Sequence, residues 1–305
     1  RAFAERRARE SGETAGLIGR AARHLEGIGS HRQAAALYLR AGQHHEAGRP
    51  LRRLALSSLD AGVNFTSEEW LDLIPEKASA DEAEGPWLLV TKARILQEQA
   101  RYQQAAAMYE RAARSLAAGG DKEGLLPVLL CSAFCLLNQG LLDESLAVMK
   151  RCRSLARTPH EKVEALVMEG GVLVGLCRWD EAVEDLERAL VLAPAEERMA
   201  LVQRIHIHRA RIFYSLGHYR VAKAWVDRAL EGSDPTVSRA LGLNGSALLA
   251  CLMGDYEDAA RLTDECERLV RTRGYVMAES PCMLSQASVA LGRWDWRRAV
   301  EKLRE

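Results

Sequence analysis

One short pattern recurs seven times along this 305-residue chain and leaves little freedom in what it can fold into. A small or turn-forming residue is followed by an aromatic or bulky one at position two, alanine or another small residue at five, and further residues of the buried type at nine and twelve. It reads Cys177/Trp179/Ala182/Leu186/Ala189, and again Gly29/His31/Ala34/Tyr38/Ala41, Ala100/Tyr102/Ala105/Tyr109/Ala112 and Gly140/Leu142/Ser145/Met149/Cys152. Further copies are Gly217/Tyr219/Ala222/Val226/Ala229 and Gly254/Tyr256/Ala259/Thr263/Cys266, with a distorted last copy at Gly292, Trp294, Trp296 and Ala299. The anchors at 29, 100, 140, 177, 217, 254 and 292 are separated by 71, 40, 37, 40, 37 and 38 residues, the first interval leaving room for one degenerate copy. A fixed period of this size marks a stacked-repeat architecture, and each unit holds two helices of about fifteen residues. The alanines let paired helices approach closely, and the aromatics wedge between neighbours. The expectation is all-α: a right-handed superhelical solenoid of about eight antiparallel helix pairs.

Composition agrees and excludes several functions. Hydrophobic residues make up 48%, enough for a continuous stacked core, whereas 6% aromatics and eight prolines disfavour a sheet-rich or disordered chain. Forty-two basic residues balance forty-two acidic ones, so there is no electrostatic case for the chain as a whole gripping nucleic acid or an anionic membrane. No apolar run reaches the roughly 18 residues of a membrane span. The seven cysteines are odd in number and sit mostly in apolar helical pattern, which predicts reduced core residues in a cytoplasmic protein. Cys131 and Cys135 share a helix face but lack the two further ligands a zinc site needs, so neither metal nor cofactor is expected.

The chain reads as a single repeat domain over 1–305, with degenerate units over 1–85 and regular pairs over 86–305. The pairs are predicted at 86–99 with 102–117, 121–139 with 142–156, 159–176 with 179–192, 195–216 with 219–231, 235–253 with 256–273 and 279–291 with 295–304. Thr158-Pro159-His160-Glu161 combines an N-cap, a first-turn proline and a capping-box glutamate; Thr66 with Glu69, and Ser233-Asp234-Pro235, offer similar starts. The opening Arg1-Ala2-Phe3 falls mid-pattern, as expected of a piece of a longer protein.

The repeat resembles the tetratricopeptide repeat, with a period a few residues longer than that family's usual unit of about 34. Trp70-Leu71-Asp72-Leu73-Ile74-Pro75-Glu76, followed by Pro86-Trp87-Leu88-Leu89, resembles a block of MalT-like bacterial regulators of the large LuxR type. The resemblance implies a helical-repeat sensor set between a P-loop switch domain and a DNA-binding helix-turn-helix. This sequence has neither signature: Gly119-Gly120-Asp121-Lys122 lacks the P-loop spacing. The implied function is a non-catalytic signal-sensing and protein-interaction module that binds a small-molecule effector or a partner in its concave groove. The alternative is a constitutive scaffold for peptide segments of partner proteins. A homo-oligomer is also compatible.

No nucleophile–base set suggests catalysis, and His206 and His208, two apart on a helix, cannot share a metal. In the resembling family the first helix of each unit lines the groove. Its inward positions fall here on Trp87, Arg94, Gln97 and Glu98; on Phe134 and Asn138; on Arg204, Arg211 and Tyr214; and on Asn244. Trp87 is expected to be exposed there. Arg204 and Arg211, two turns apart, form a stripe able to hold a carboxylate or phosphate, or else ion pairs with a neighbouring helix. Asn138 and Asn244 suit an extended peptide backbone, or simply the ends of helices. Trp179, Trp225, Trp294 and Trp296 are expected as packing wedges on second helices.

Overall fold

A computed structural model describes residues 13–58, 69–74, 85–194, 198–231, 237–273 and 276–304. The described residues form sixteen α-helices and no strand, in two compact units divided between Gln139 and Gly140. The first holds α1 (Glu13–Gly27), α2 (His31–Arg40), α3 (His44–Ser58), α4 (Glu69–Leu73), α5 (Gly85–Glu98), α6 (Tyr102–Ala118) and α7 (Lys122–Asn138). Here α1 packs on α2, α2 on α3, α3 on α5, α5 on α6 and α6 on α7. The second holds α8 (Leu142–Leu155), α9 (Pro159–Gly175), α10 (Trp179–Leu192), α11 (Arg198–Ser215), α12 (Tyr219–Leu230), α13 (Val237–Leu252), α14 (Tyr256–Arg273), α15 (Val276–Gly292) and α16 (Trp296–Arg304). Its helices pair as α9 with α10, α11 with α12, α13 with α14 and α15 with α16, and each second helix packs on the next unit's first.

The anchor of the pattern is a helix stop. Gly29, Ala100, Gly140, Cys177, Gly217 and Gly254 all have positive φ. After most of them the next N–H reaches back to a carbonyl five residues earlier: Arg101 to Leu96 at 2.8 Å, Arg178 to Leu173 at 2.9 Å and Asp255 to Ala250 at 2.9 Å. This left-handed C-terminal motif satisfies carbonyls that the helix end would orphan, and reverses the chain within two residues. The same turn occurs at Gly42 and Gly120, where it joins a second helix to the first helix that follows and so falls outside the spacing of the other anchors.

The last copy needs correction. Its left-handed residue is Trp294, not Gly292, so the final interval is 40 residues and α16 starts at Trp296. Gly292 is there for space: a Cβ on it would lie 1.9 Å from the Tyr256 ring.

Position five is the tightest point of each pair. Ala34, Ala105, Ser145, Ala182, Ala222 and Ala259 are fully buried, and Ala299 nearly so. Position nine fills the space towards the next unit with Tyr109, Met149, Leu186, Val226 and Thr263, all buried. Thr158 closes the expected capping box: its Oγ1 accepts from the Glu161 N–H at 3.2 Å, and Glu161 accepts from the Thr158 N–H at 3.0 Å. The caps expected at Thr66 and at Ser233-Asp234 lie outside the described residues. Trp294 and Trp296 are not wedges; they are 77% and 57% exposed.

Candidate binding face

In the first unit, Trp87, Arg94, Gln97 and Glu98 are internal structure. Trp87 is 2% exposed, contrary to its expected place in a groove. Its ring lies over the start of α7, so close that a Cβ on Gly124 would stand 2.6 Å away, and the Arg52 guanidinium sits 5.7 Å from its centre. A tryptophan at the first turn of a first helix fills the step to the next unit, which a face assignment by spacing does not reveal.

Arg94, Gln97 and Glu98 belong to a polar cluster inside α5, α6 and α7. The Tyr109 hydroxyl donates to Gln97 Oε1 at 3.0 Å, and the Cys135 thiol points at the same oxygen. Arg94 pairs with Glu98 one turn along at 3.8 Å and bonds Cys131. Burial pushes the Cys131 thiol up, with Arg94 only partly opposing it, so the thiol stays protonated. The cluster satisfies itself and offers little to a ligand. Phe134 is half-buried, edge-on to Tyr102 at 6.2 Å, and Asn138 is exposed but donates to the Phe134 carbonyl of its own helix at 2.8 Å.

The second unit behaves differently. Arg204 forks onto Glu164 of α9, its Nη2 to Oε2 contact being 3.1 Å, so this half of the expected stripe is an ion pair between first helices. Arg211 makes no ion pair among the described residues. Its side chain is open to water, yet protein crowds the guanidinium enough for desolvation to lower its pKa. Such a group loses hydration without gaining a partner, which favours an incoming anion. Tyr214, three residues on, is 44% exposed, with its ring 5.9 Å from Tyr219. Beneath them His208 fits against Gly171, where a Cβ would lie 2.8 Å from the ring, and its Nδ1 has no hydrogen-bond partner. Burial holds His208 down to about 3, so it is neutral and structural.

On the following units the first helices expose apolar side chains. Leu241, Gly245 and Leu252 follow one stripe of α13, with open space around the Gly245 Cα, and Leu284 and Leu291 do so on α15. Asn244 does not face a ligand: its Oδ1 accepts from Ser285, joining α13 to α15. Sequence reasoning missed these leucines because first helices are apolar on nearly every side, so periodicity does not separate the open face from the packed one.

No protein-family model matches the sequence, and no curated protein is similar to it in sequence. Solved structures are similar in fold. A Rap protein complexed with competence and sporulation factor matches with a TM-score of 0.68, over 96% of this chain and 86% of that one, at 15% identity. A tetratricopeptide repeat protein from Parabacteroides merdae matches at 0.51, over 84% and 91%, at 18% identity. The fold is a tetratricopeptide-like helical repeat.

One further feature of this repeat array belongs to its construction. A recess of about 370 Å³ between α8 and α10 has α9 as its floor. Arg153 enters it from α8 and takes Glu169 of α9 at 3.3 Å, with Asp185 of α10 at 4.0 Å and Arg188 on the far side of Asp185 at 3.5 Å. Burial raises both carboxyls, and Arg153 pulls them back. The charges cancel within the recess, which therefore locks consecutive units together. Among the described residues, no group of three histidine, cysteine or acidic side chains could hold a metal, and no helix is long and apolar enough to cross a membrane.

Proposed function

We propose that this chain is a non-catalytic protein-interaction module that seats an extended, acidic peptide segment of a partner on the first-helix face of its second unit. The observation that carries this reading is Arg211, a crowded guanidinium with no counter-ion among the described residues, beside the exposed ring of Tyr214. The exposed leucine stripes of α13 and α15 supply apolar contact on the first helices that follow, the usual division between anchoring and orienting groups in a peptide groove. A Rap protein of the same fold is itself complexed with a factor, which supports binding as the use of such an array. The narrower reading, a sensor segment of a MalT-like regulator answering a small effector, rests on the Trp70 to Ile74 block and takes second place; Trp70 and Ile74 are both buried.

Thermal unfolding tests the proposal. Short peptides combining leucine with aspartate or glutamate should raise the midpoint in a dose-dependent way, and Arg211→Ala should abolish most of the rise. A rise with sugars, amino acids or nucleotides and none with peptides would favour the sensor.

A further inference from the structure

Position twelve of the pattern is held by small buried residues on successive second helices: Ala112, Cys152, Ala189, Ala229 and Cys266. On α14 this residue, Cys266, is fully buried in a core cluster to which α15 contributes Cys282, itself only 4% exposed. The cluster also holds Ala240 of α13 and Ala278 of α15, and α14 packs on α15. The Cys266 thiol lies 3.3 Å from the Ala240 carbonyl oxygen and hydrogen-bonds the Cys282 thiol. Bridging two cysteines needs Cα atoms roughly 4.4–6.8 Å apart. Packed helices come that close along seams of small side chains, and these two thiols touch across such a seam.

The two sulfurs are not equivalent. The hydrogen bond from Cys266 favours the thiolate of Cys282 and holds that thiol below its ordinary value against burial, with Lys302 and Arg271 assisting and Glu267 opposing. The same bond and burial push the Cys266 thiol up. We infer that Cys266 and Cys282 are an oxidation site, a dithiol that hydrogen peroxide closes to a disulfide stapling α14 to α15. Cys282, as thiolate, attacks one peroxide oxygen and expels the other as hydroxide, leaving a sulfenic acid. The Cys266 sulfur then displaces the sulfenic oxygen, which leaves as water with the Cys266 proton. Two thiols give up two protons and two electrons, and one peroxide becomes two waters. A small oxidant suits a buried pair, and a thiol reductant reverses the bond.

The test uses the whole chain in its native state. Protein is exposed to a few equivalents of hydrogen peroxide, the peroxide is removed with catalase, and remaining thiols are alkylated in denaturant. Digestion without reductant and mass spectrometry should then show a peptide pair joined through Cys266 and Cys282, absent after treatment with dithiothreitol. The staple closes a ring over residues 267–281 and should raise the thermal midpoint by about 5 °C, a rise that dithiothreitol cancels. Cys266→Ala places at position twelve the residue found there on three other second helices. In that variant peroxide should give no rise, and dimedone should trap a sulfenic acid on Cys282. The inference is overturned if both cysteines stay alkylatable at a dose that oxidises the exposed Cys177, or if either one links to a different cysteine. Failure of dimedone to label Cys282 in Cys266→Ala would overturn it as well. The mapping of the unaltered protein decides the matter even if the variant does not fold.

Discussion

Arg204 and Arg211 carry the same group on the same helix, two turns apart, and the surroundings give them opposite roles. The sequence places both on one stripe but cannot show that Glu164, forty residues earlier, reaches Arg204 and that, among the described residues, nothing comparable reaches Arg211. Arg204→Ala strands the Glu164 carboxylate and should cost about 1 kcal/mol in urea unfolding. Arg211→Ala should leave stability within about 0.5 kcal/mol while weakening acidic peptides about ten-fold in calorimetric titration. A large stability loss would mean that Arg211 serves the fold. His208 sets a second test at this scale. Its folded value of about 3 lies below the usual histidine range, so the unfolded state takes up the proton first as pH falls. Its contribution is complete above about pH 6.5 and is lost progressively towards pH 3; between pH 6.5 and 4 the loss is roughly 3 kcal/mol. Glu169 and Asp185, raised by burial, act in the opposite direction, because their protonation on acidification favours the folded state. The informative quantity is therefore the difference between the protein and His208→Leu. The variant should have the flatter acid limb in urea titrations, and equal limbs would show that the imidazole is hydrated.

Among elements, the turn is what the sequence announced most clearly, because a left-handed stop followed by a helix start needs a particular residue at a particular place. Glycine met that need at most anchors; Ala100, Cys177 and Trp294 meet it with side chains that strain the backbone. Cys177→Gly should raise stability by about 0.5–1 kcal/mol, the relief of strain exceeding the added freedom of the unfolded chain. A destabilised variant would show that the thiol has a packing role. The same reliance on glycine misplaced the last copy. Gly292 resembles an anchor in sequence, yet its helical backbone has nothing to do with reversal, and the Tyr256 ring occupies the space where a Cβ would go. Gly292→Ala should cost about 1–3 kcal/mol by overpacking α14 against α15, whereas alanine at a simple anchor would cost no more than the left-handed strain. Spacing thus revealed the helix ends and the alanine seams. It did not reveal which apolar side of a first helix stays open, or that Trp87 is a floor and not a platform, since those depend on neighbours forty residues away.

At the scale of the molecule, the two-fold economy of the repeat is that each unit needs only its neighbours. Residues 178–217 run from one left-handed turn to the next, so their removal joins Cys177 to His218 with the turn intact and leaves α9 facing α12 in place of α10. The two second helices present matching residues at the contact: Ala182 and Ala222 at position five, Leu186 and Val226 at nine, Ala189 and Ala229 at twelve, all buried. The shortened protein should fold, keep its helical circular dichroism, and lose denaturant sensitivity in proportion to the surface removed, roughly an eighth of the original m-value. Removing 178–197 alone, which takes α10 and the residues up to the start of α11, should not be tolerated, because a first helix would then occupy a second helix's place. Its position-five alanine would be missing, and the apolar face meant for two neighbours would meet one. Comparable stability of the two deletions would mean that the helix, not the pair, is the unit of this array.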